Sequence, residues 1–529
     1  MPKPPTILAA LIVTGFTASA LADKIKTPFE LLRSHARELA SKAEVAVIQK
    51  QINQACTAYE ESANIWLQLV SDDQADLNAR GEAAEDYDRE GDVLLENGRL
   101  EQAQAAYDKG FSLWESLDEN KPTEQTRLRG LATSAGKLGR VALLLKQTDT
   151  AIQYYQIDCN TDQRLHGLEP ANPQWVQALA LNLYWVGELN ICRNKSTEGM
   201  ASLRLSVQSI VSAEDQLVTG YQWIFGYTIN LDDVANLLFA QVRAEDALET
   251  FTLSRQLREW LLQREPKNVD YQRALAIALG NVGGLQVRLD RLPGAIQLYR
   301  DSIAQFQKIV ADRPFDEASV LPFAQVLQDC GDVYVRLLEF DSALIRYQLS
   351  RARFEELAAM FPNDISLQLQ ASSSTYRVAQ VYTAELDYQA AAGMYSLACS
   401  RLEQLSTGHP DQAEVASELA LAYIGRGYVE NMLSDDALAL ADYEAARKKF
   451  LILQKKDPSS HEFDEPTAGA TLAIAKLLQK AGRTEEARNE FNQSSEALFE
   501  LSQKGNLDEQ GRRWLQEADD QRQHLSVGE

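Results

Sequence analysis

The chain has 529 residues, with 52 Lys and Arg against 76 Asp and Glu, for a formal net charge of −24. Hydrophobic residues make up 45% and charged residues 24%, the proportions of a folded protein, which excludes wholesale disorder. So acidic a surface also excludes the clustered Lys and Arg with which proteins hold nucleic acid or anionic lipid.

Residues 1–22 differ from the rest. Lys3 is their only charge, Ile7 to Phe16 is apolar, and Ala20-Leu21-Ala22 is a small-x-small cleavage signal before Asp23. This is the layout of a secretory signal peptide, too short in its apolar part to span a bilayer. The expectation is a periplasmic or secreted protein, cleaved near Ala22. No Cys follows the small residues to take a lipid, and no later run of 18 apolar residues predicts membrane insertion of the mature chain. The five cysteines, Cys56, Cys159, Cys192, Cys330 and Cys399, are far apart and form no CxxC pair. Cys159 and Cys192 fall in neighbouring repeats and are the pair open to a disulfide; the alternative is five separately buried small side chains.

Internal repetition organises everything after that. From Ala55 and Tyr59, a small residue followed four positions later by an aromatic recurs every 48 residues. The series runs through Ala103 and Tyr107, Ala151 and Tyr155, Gly199 and Leu203, Ala247 and Phe251. It continues through Ala295 and Tyr299, Ala343 and Tyr347, Ala391 and Tyr395, Ala439 and Tyr443, ending at Ala487 and Phe491. A second small column lies 12 residues before the first: Ala43, Gly91, Gly139, Gly187, Ala235, Gly283, Gly331, Ala379, Gly427 and Ala475. Val or Leu stands two residues after each, as at Val45, Val141, Leu285 and Leu477. Ten units thus keep one register without insertion or deletion.

Within a unit, apolar residues recur at three- and four-residue steps, as in Leu279, Val282 and Leu285, then Ala295, Ile296, Tyr299 and Ile303. The pattern predicts two amphipathic helices joined by a tight turn at Asn97-Gly98, Asp290-Arg291 or Ala481-Gly482. The small residues are expected to let helices approach closely, with the aromatic filling the wedge between neighbouring pairs. Pro266, Pro314, Pro362, Pro410 and Pro458 repeat at the same interval of 48 and stop the second helix.

These features resemble the tetratricopeptide repeat: a small residue in the first helix, a small residue and an aromatic in the second, and a proline at the joint. The resemblance covers about residues 30 to 505 and implies an all-α superhelical solenoid of about ten helix-turn-helix repeats. It departs from the family in unit length, 48 against the usual 34. The bulky aromatic early in the first helix is also mostly missing. The extra length is expected to extend both helices. Since one hairpin cannot bury its apolar face alone, residues 23–506 read as one stacked array. Residues 507–529, with Trp514, read as a C-terminal capping helix and tail.

Catalytic and cofactor signatures do not emerge. The five His are dispersed and share no metal-ligand spacing with Cys. Gly130 to Lys137 looks superficially like a phosphate loop, yet Leu138 stands where Ser or Thr must hold magnesium. Asp232-Asp233 and Asp435-Asp436 are read as carboxylates at helix starts or turns, facing exposed N–H groups. No metal, cofactor or catalytic residue is therefore expected.

Function must come from surface. Family resemblance implies that the first helix of each pair lines the inner groove. Helical projection places Tyr184, Trp185, Asn236, Phe239, Asn281, Arg288, Arg336, Tyr376 and Tyr428 on that side. Arg288 and Arg336, one repeat apart, could clamp a carboxylate or phosphate, or instead pair with Asp290, Asp332 or Glu339. Tyr184, Trp185 and Phe239 read as packing before ligand contacts, because aromatics at helical spacing usually fill a core. The leading expectation is an exported scaffold holding a protein or peptide along its groove. The alternatives are an assembly or export factor of a cell-envelope or polysaccharide-secretion complex, and an enzyme with a groove-lined site, for which no motif speaks.

Overall fold

The architecture follows from the period. In the unit from Val269, a helix of 20 residues, a three-residue turn, a helix of 21 residues and a four-residue joint complete one repeat. The computed structural model describes residues 28–72, 77–117, 124–213, 217, 220–314, 316–458 and 460–527. The expected signal peptide lies outside these residues. Among the described residues there are twenty-one helices and no strand.

Two compact units divide the chain, one ending at Trp260 and one beginning at Leu261. The first contains the hairpins α1 (Pro28–Ile48) with α2 (Ile52–Asp72), α3 (Leu77–Glu96) with α4 (Leu100–Glu115), and α5 (Glu124–Leu144) with α6 (Thr148–Leu168). It continues with α7 (Pro173–Cys192) and α8 (Ser196–Ser212), then α9 (Gln222–Ala240) and α10 (Ala244–Arg264), of which residues 261–264 fall in the second. The second contains α11 (Val269–Arg288) with α12 (Leu292–Asp312), α13 (Glu317–Arg336) with α14 (Phe340–Met360), and α15 (Ile365–Ala384) with α16 (Tyr388–Gly408). Next come α17 (Ala413–Met432) with α18 (Asp436–Lys456), α19 (Asp464–Lys480) with α20 (Thr484–Gln503), and the last helix α21 (Glu509–Val527). Within each unit the hairpins stack side by side, so the fold is an all-helical repeat array.

Local chemistry sets the helix ends. Asn268 caps α11 by accepting from Asp270 N–H at 3.1 Å, and Asp364, Asp387 and Asp435 cap their helices in the same way. Prolines 266, 314, 362, 410 and 458 all fall in the joints, where they cannot interrupt a ladder. The turn inside each hairpin is closed by main-chain bonds: Arg291 N–H reaches Gln286 C=O at 2.8 Å, and Asp290 N–H reaches Val287 C=O at 3.0 Å. One residue per turn takes the left-handed conformation, Gly98 at φ 71° and Asp290 at φ 59° among them, where the sequence placed the turns. Val242, Leu338 and Leu386 do so too, at φ 62°, 60° and 64°. No local preference announces those three, because main-chain closure imposes the conformation whatever side chain is present.

Packing inside a hairpin rests on the small column. A Cβ added at Gly331 would stand 2.5 Å from the ring of Tyr347, and one at Gly91 would stand 2.4 Å from Tyr107. The aromatic therefore lies on the small residue of its own hairpin, and it also meets the next hairpin, as where Tyr155 stacks on Trp185. Tyr395 serves both contacts, since its ring also covers Gly425 of the next hairpin at 2.3 Å from a Cβ there. Buried serines add a second tie. Ser62, Ser206, Ser254, Ser302, Ser350 and Ser494 each donate to the carbonyl 26 residues earlier, at 2.6–3.0 Å, joining the second helix to the first.

Trp514 of α21 covers Gly469 of α19, closing the C-terminal end of the second unit. The five cysteines are free, with Cys159 buried and Cys192 exposed. Among the described residues, no helix is long and apolar enough to cross a membrane.

Replacing Gly331 with Leu forces the Tyr347 ring off α13. Urea unfolding should record a loss of about 1–3 kcal/mol from overpacking, with no change in helical content. An unchanged midpoint would show that the small column does not mark a contact.

Candidate functional site

First helices of successive hairpins touch in the second unit, α11 with α13 and α15 with α17. Between α13 and α15 this face carries a cavity of about 300 Å³. Its apolar wall is Val335, Phe340, Val381 and Ala384, and its polar lining is Asp332, Arg336, Tyr347, Arg377 and Gln380. Helical spacing explains the arrangement: Asp332, Val335 and Arg336 lie on one stripe of α13, as Arg377, Gln380, Val381 and Ala384 do on α15.

The charges are organised across hairpins. Asp332 accepts from Tyr347 Oη at 2.5 Å and from Arg377 Nη1 at 2.6 Å. Burial, then the Asp332 charge, pushes the Tyr347 phenol well above its ordinary range, so it remains a donor. Arg336 Nη2 reaches back to Asp290 Oδ1 at 2.8 Å, with a longer contact to the Val287 carbonyl at 3.4 Å. Both guanidiniums are partly exposed, so they meet solvent at the cavity rim. A partner's carboxylate could compete for them there while an apolar side chain enters beside Phe340.

The residues expected from sequence are placed unevenly. Arg336 lines this cavity and is paired with Asp290, the bland arrangement weighed beside the clamp. Arg288 and Asn281 lie exposed on α11, and Asn236 is exposed on α9. Tyr184 is only 4% exposed and packs edge-on against Trp185 and Tyr227, so it belongs to the core of the first unit, not its surface. Trp185 is part-buried and stacks on Tyr155. Phe239 is also part-buried. Tyr376 is half-buried, edge-on to Tyr395, while Tyr428 is exposed beside Tyr388. Tyr428 lines a second cavity of about 480 Å³ with Trp514, Lys476 and Glu517. Arg377 and Gln380 were missed, because nothing in their own repeat distinguishes them from surface polar residues.

Gly130 is helical and lies under Trp114, so the apparent phosphate loop is a packing site. Asp435 caps α18 as expected, but Asp232 sits in the middle of α9 and pairs with buried Arg258 at 2.6 Å. Its role is to neutralise that guanidinium.

Arg336→Ala should lower stability by less than about 1 kcal/mol in urea unfolding, since exposed ion pairs contribute little. A loss as large as that of Gly331→Leu would assign Arg336 to the framework.

No protein-family model matches the chain, and no curated protein matches it in sequence. Solved structures similar to it include BtubC (BKLC) from P. vanneervenii, at 14% identity over 49% of this chain and 92% of that one, TM-score 0.37. The apo form of RapI is similar at 14% identity over 75% and 99%, TM-score 0.38. The S. pombe nuclear import adaptor Nro1 is similar at 13% identity over 57% and 99%, TM-score 0.38. At such identities and scores these likenesses carry no functional argument.

Proposed function

We propose that this chain is an exported scaffold of tetratricopeptide type that binds a peptide or partner protein on the first-helix face of its hairpins. The observation that carries the reading is the cavity between α13 and α15. There an apolar wall and two partly exposed guanidiniums are presented together by two successive repeats. Such a cavity suits one anchoring side chain with a neighbouring carboxylate, and the flanking hairpins offer the same face to the rest of an extended ligand. Binding, not catalysis, is the role proposed. Support for export comes from Lys3, the apolar run Ile7 to Phe16 and the Ala20-Leu21-Ala22 signal.

A photo-crosslinking residue in place of Gln380, in the full chain made in its native host, should give a discrete protein adduct. The same residue in place of Arg353, on the second-helix face, should not. Combining the Gln380 probe with Arg336→Glu and Arg377→Glu should weaken the adduct by about tenfold or more, the effect of losing ~1.4 kcal/mol. Equal labelling from both faces, or an adduct indifferent to the two charge reversals, overturns the site.

N-terminal sequencing of protein recovered outside the cytoplasm should begin at Asp23. A chain keeping Met1 and confined to the cytoplasm overturns the exported part of the reading.

A further inference from the structure

The third hairpin breaks the repeat at two buried positions, four residues apart. In six hairpins a serine of the second helix donates its hydroxyl to the carbonyl 26 residues earlier. The third hairpin carries Asp158 at that position, 6% exposed. One turn further on, most other hairpins hold apolar side chains such as Trp66, Trp114, Phe306, Phe354 and Phe450, and the fifth holds Arg258. Here stands Asp162, only 1% exposed. Asn182 of α7, also buried, donates to Asp162 Oδ2 at 3.0 Å. Asp158 Oδ2 lies over Gly136 of α5, where a Cβ would be 2.7 Å away, so the glycine makes room for the carboxyl.

A serine hydroxyl always has a proton to donate, whereas a carboxyl has one only when it is not ionised. By the 48-residue register, the Ala132 carbonyl is the counterpart of the Ala180 carbonyl that Ser206 reaches. An ionised Asp158 would place a buried charge against that carbonyl and beside a second carboxyl. We propose that Asp158 and Asp162 form a proton-dependent clasp, in which a proton held on Asp158 takes the place of the serine hydroxyl and ties α6 to α5, while Asp162 with Asn182 ties α6 to α7.

The surrounding groups fit this role. Burial and then Asp162 push Asp158 well above the ordinary carboxylate range, and Asn182 opposes them. Burial raises Asp162 as well, again opposed by Asn182. Cys159, beside them, has its thiol raised by burial and by both carboxyls, so it supplies no charge. On α5, Arg127 is bound to Glu124 and Lys137 to Asp92, Arg129 is paired with Glu169, and Arg140 acts on Tyr155. On α6, Arg164 turns to Glu124, while Asp149 is paired with Arg193. On α7, Glu188 acts on Tyr184 and Cys192.

The sign follows from linkage. A carboxyl whose folded pKa lies above its unfolded value binds more protons when folded. Its stabilisation is complete below the unfolded pKa, near ~4, and is lost as pH rises through the folded pKa. Asp86 and Asp88, each raised by burial to about 6, add a background of the same sign in this unit, so the clasp is read as a difference between variants.

The test uses the full chain with Asp158→Ser, which installs the residue of six other hairpins, and Asp158→Asn, which cannot ionise. The wild-type urea midpoint of the first unit should fall between about pH 5 and about pH 8. Asp158→Ser should show a smaller fall and exceed wild type at the upper pH. Amide exchange over residues 148–192, corrected for intrinsic rates and referred to the second unit, should lose protection with rising pH in wild type and lose clearly less in both variants, where only Asp162 still titrates. Should Asp158→Ser fail to fold, the same comparison with Asp158→Asn decides. A variant that follows the wild-type pH course, or wild-type protection that does not change with pH, overturns the proposal.

Discussion

A bulky side chain seated on a small residue of the partner helix, aromatic except for Leu203 on Gly187 in the fourth hairpin, sets the geometry of the repeat. Tyr347 can lie on Gly331 only because no Cβ intervenes, and only if sixteen residues of helix and turn bring the two face to face. One inserted residue would rotate the second helix by about 100° and carry the ring away from its seat. The constancy of the period is thus a packing constraint. Close-packed interiors tolerate changes of a methylene poorly, and an angular slip of that size would be far worse. Helix lengths, turn positions and joint prolines all follow from holding this one contact.

Contacts between hairpins add ion pairs to the apolar packing. Arg377 with Asp332, Arg401 with Glu355, Arg447 with Glu490 and Lys480 with Asp436 all bridge one hairpin of the second unit to the next. Hairpins are closed by apolar burial, in six of them with a serine hydroxyl, and neighbours are then aligned by ion pairs at the rim. The candidate cavity arises where two such pairs, Arg336–Asp290 and Arg377–Asp332, flank a gap between adjacent first helices. In the third hairpin the hierarchy is inverted, because Asp158, Asp162 and Asn182 place polar chemistry in the centre.

Much of this was legible in the sequence because side-chain volume carries it. The small and aromatic columns locate both helices, Gly98, Asp290 and Gly482 locate turns, and the prolines locate joints. Side-chain direction was harder to read. Projecting from the small column put Tyr184 on the open face, yet it packs on Tyr227 of the following hairpin. A first helix is buried on two sides, by its own partner and by its neighbour, so a single-stripe projection misplaces residues between them. Arg377 left no trace because its role depends on Asp332 in another repeat. Asp158 did leave one, an acid in a serine column, but that column becomes meaningful only once each hydroxyl is seen to reach a specific carbonyl.

The turns have a consequence of another kind. Since main-chain hydrogen bonds close each one, the left-handed residue is released from any structural duty of its side chain. Lys50, Asn194, Asp290, Leu338 and Ser434 all occupy it, and Leu338 and Leu386 extend into solvent with 74% and 68% of their surface open. Equivalent sites therefore recur at a regular interval along one edge of each unit. Spectroscopic labels attached there would sit outside the core and report the spacing of successive hairpins, so the protein carries its own graduated ruler.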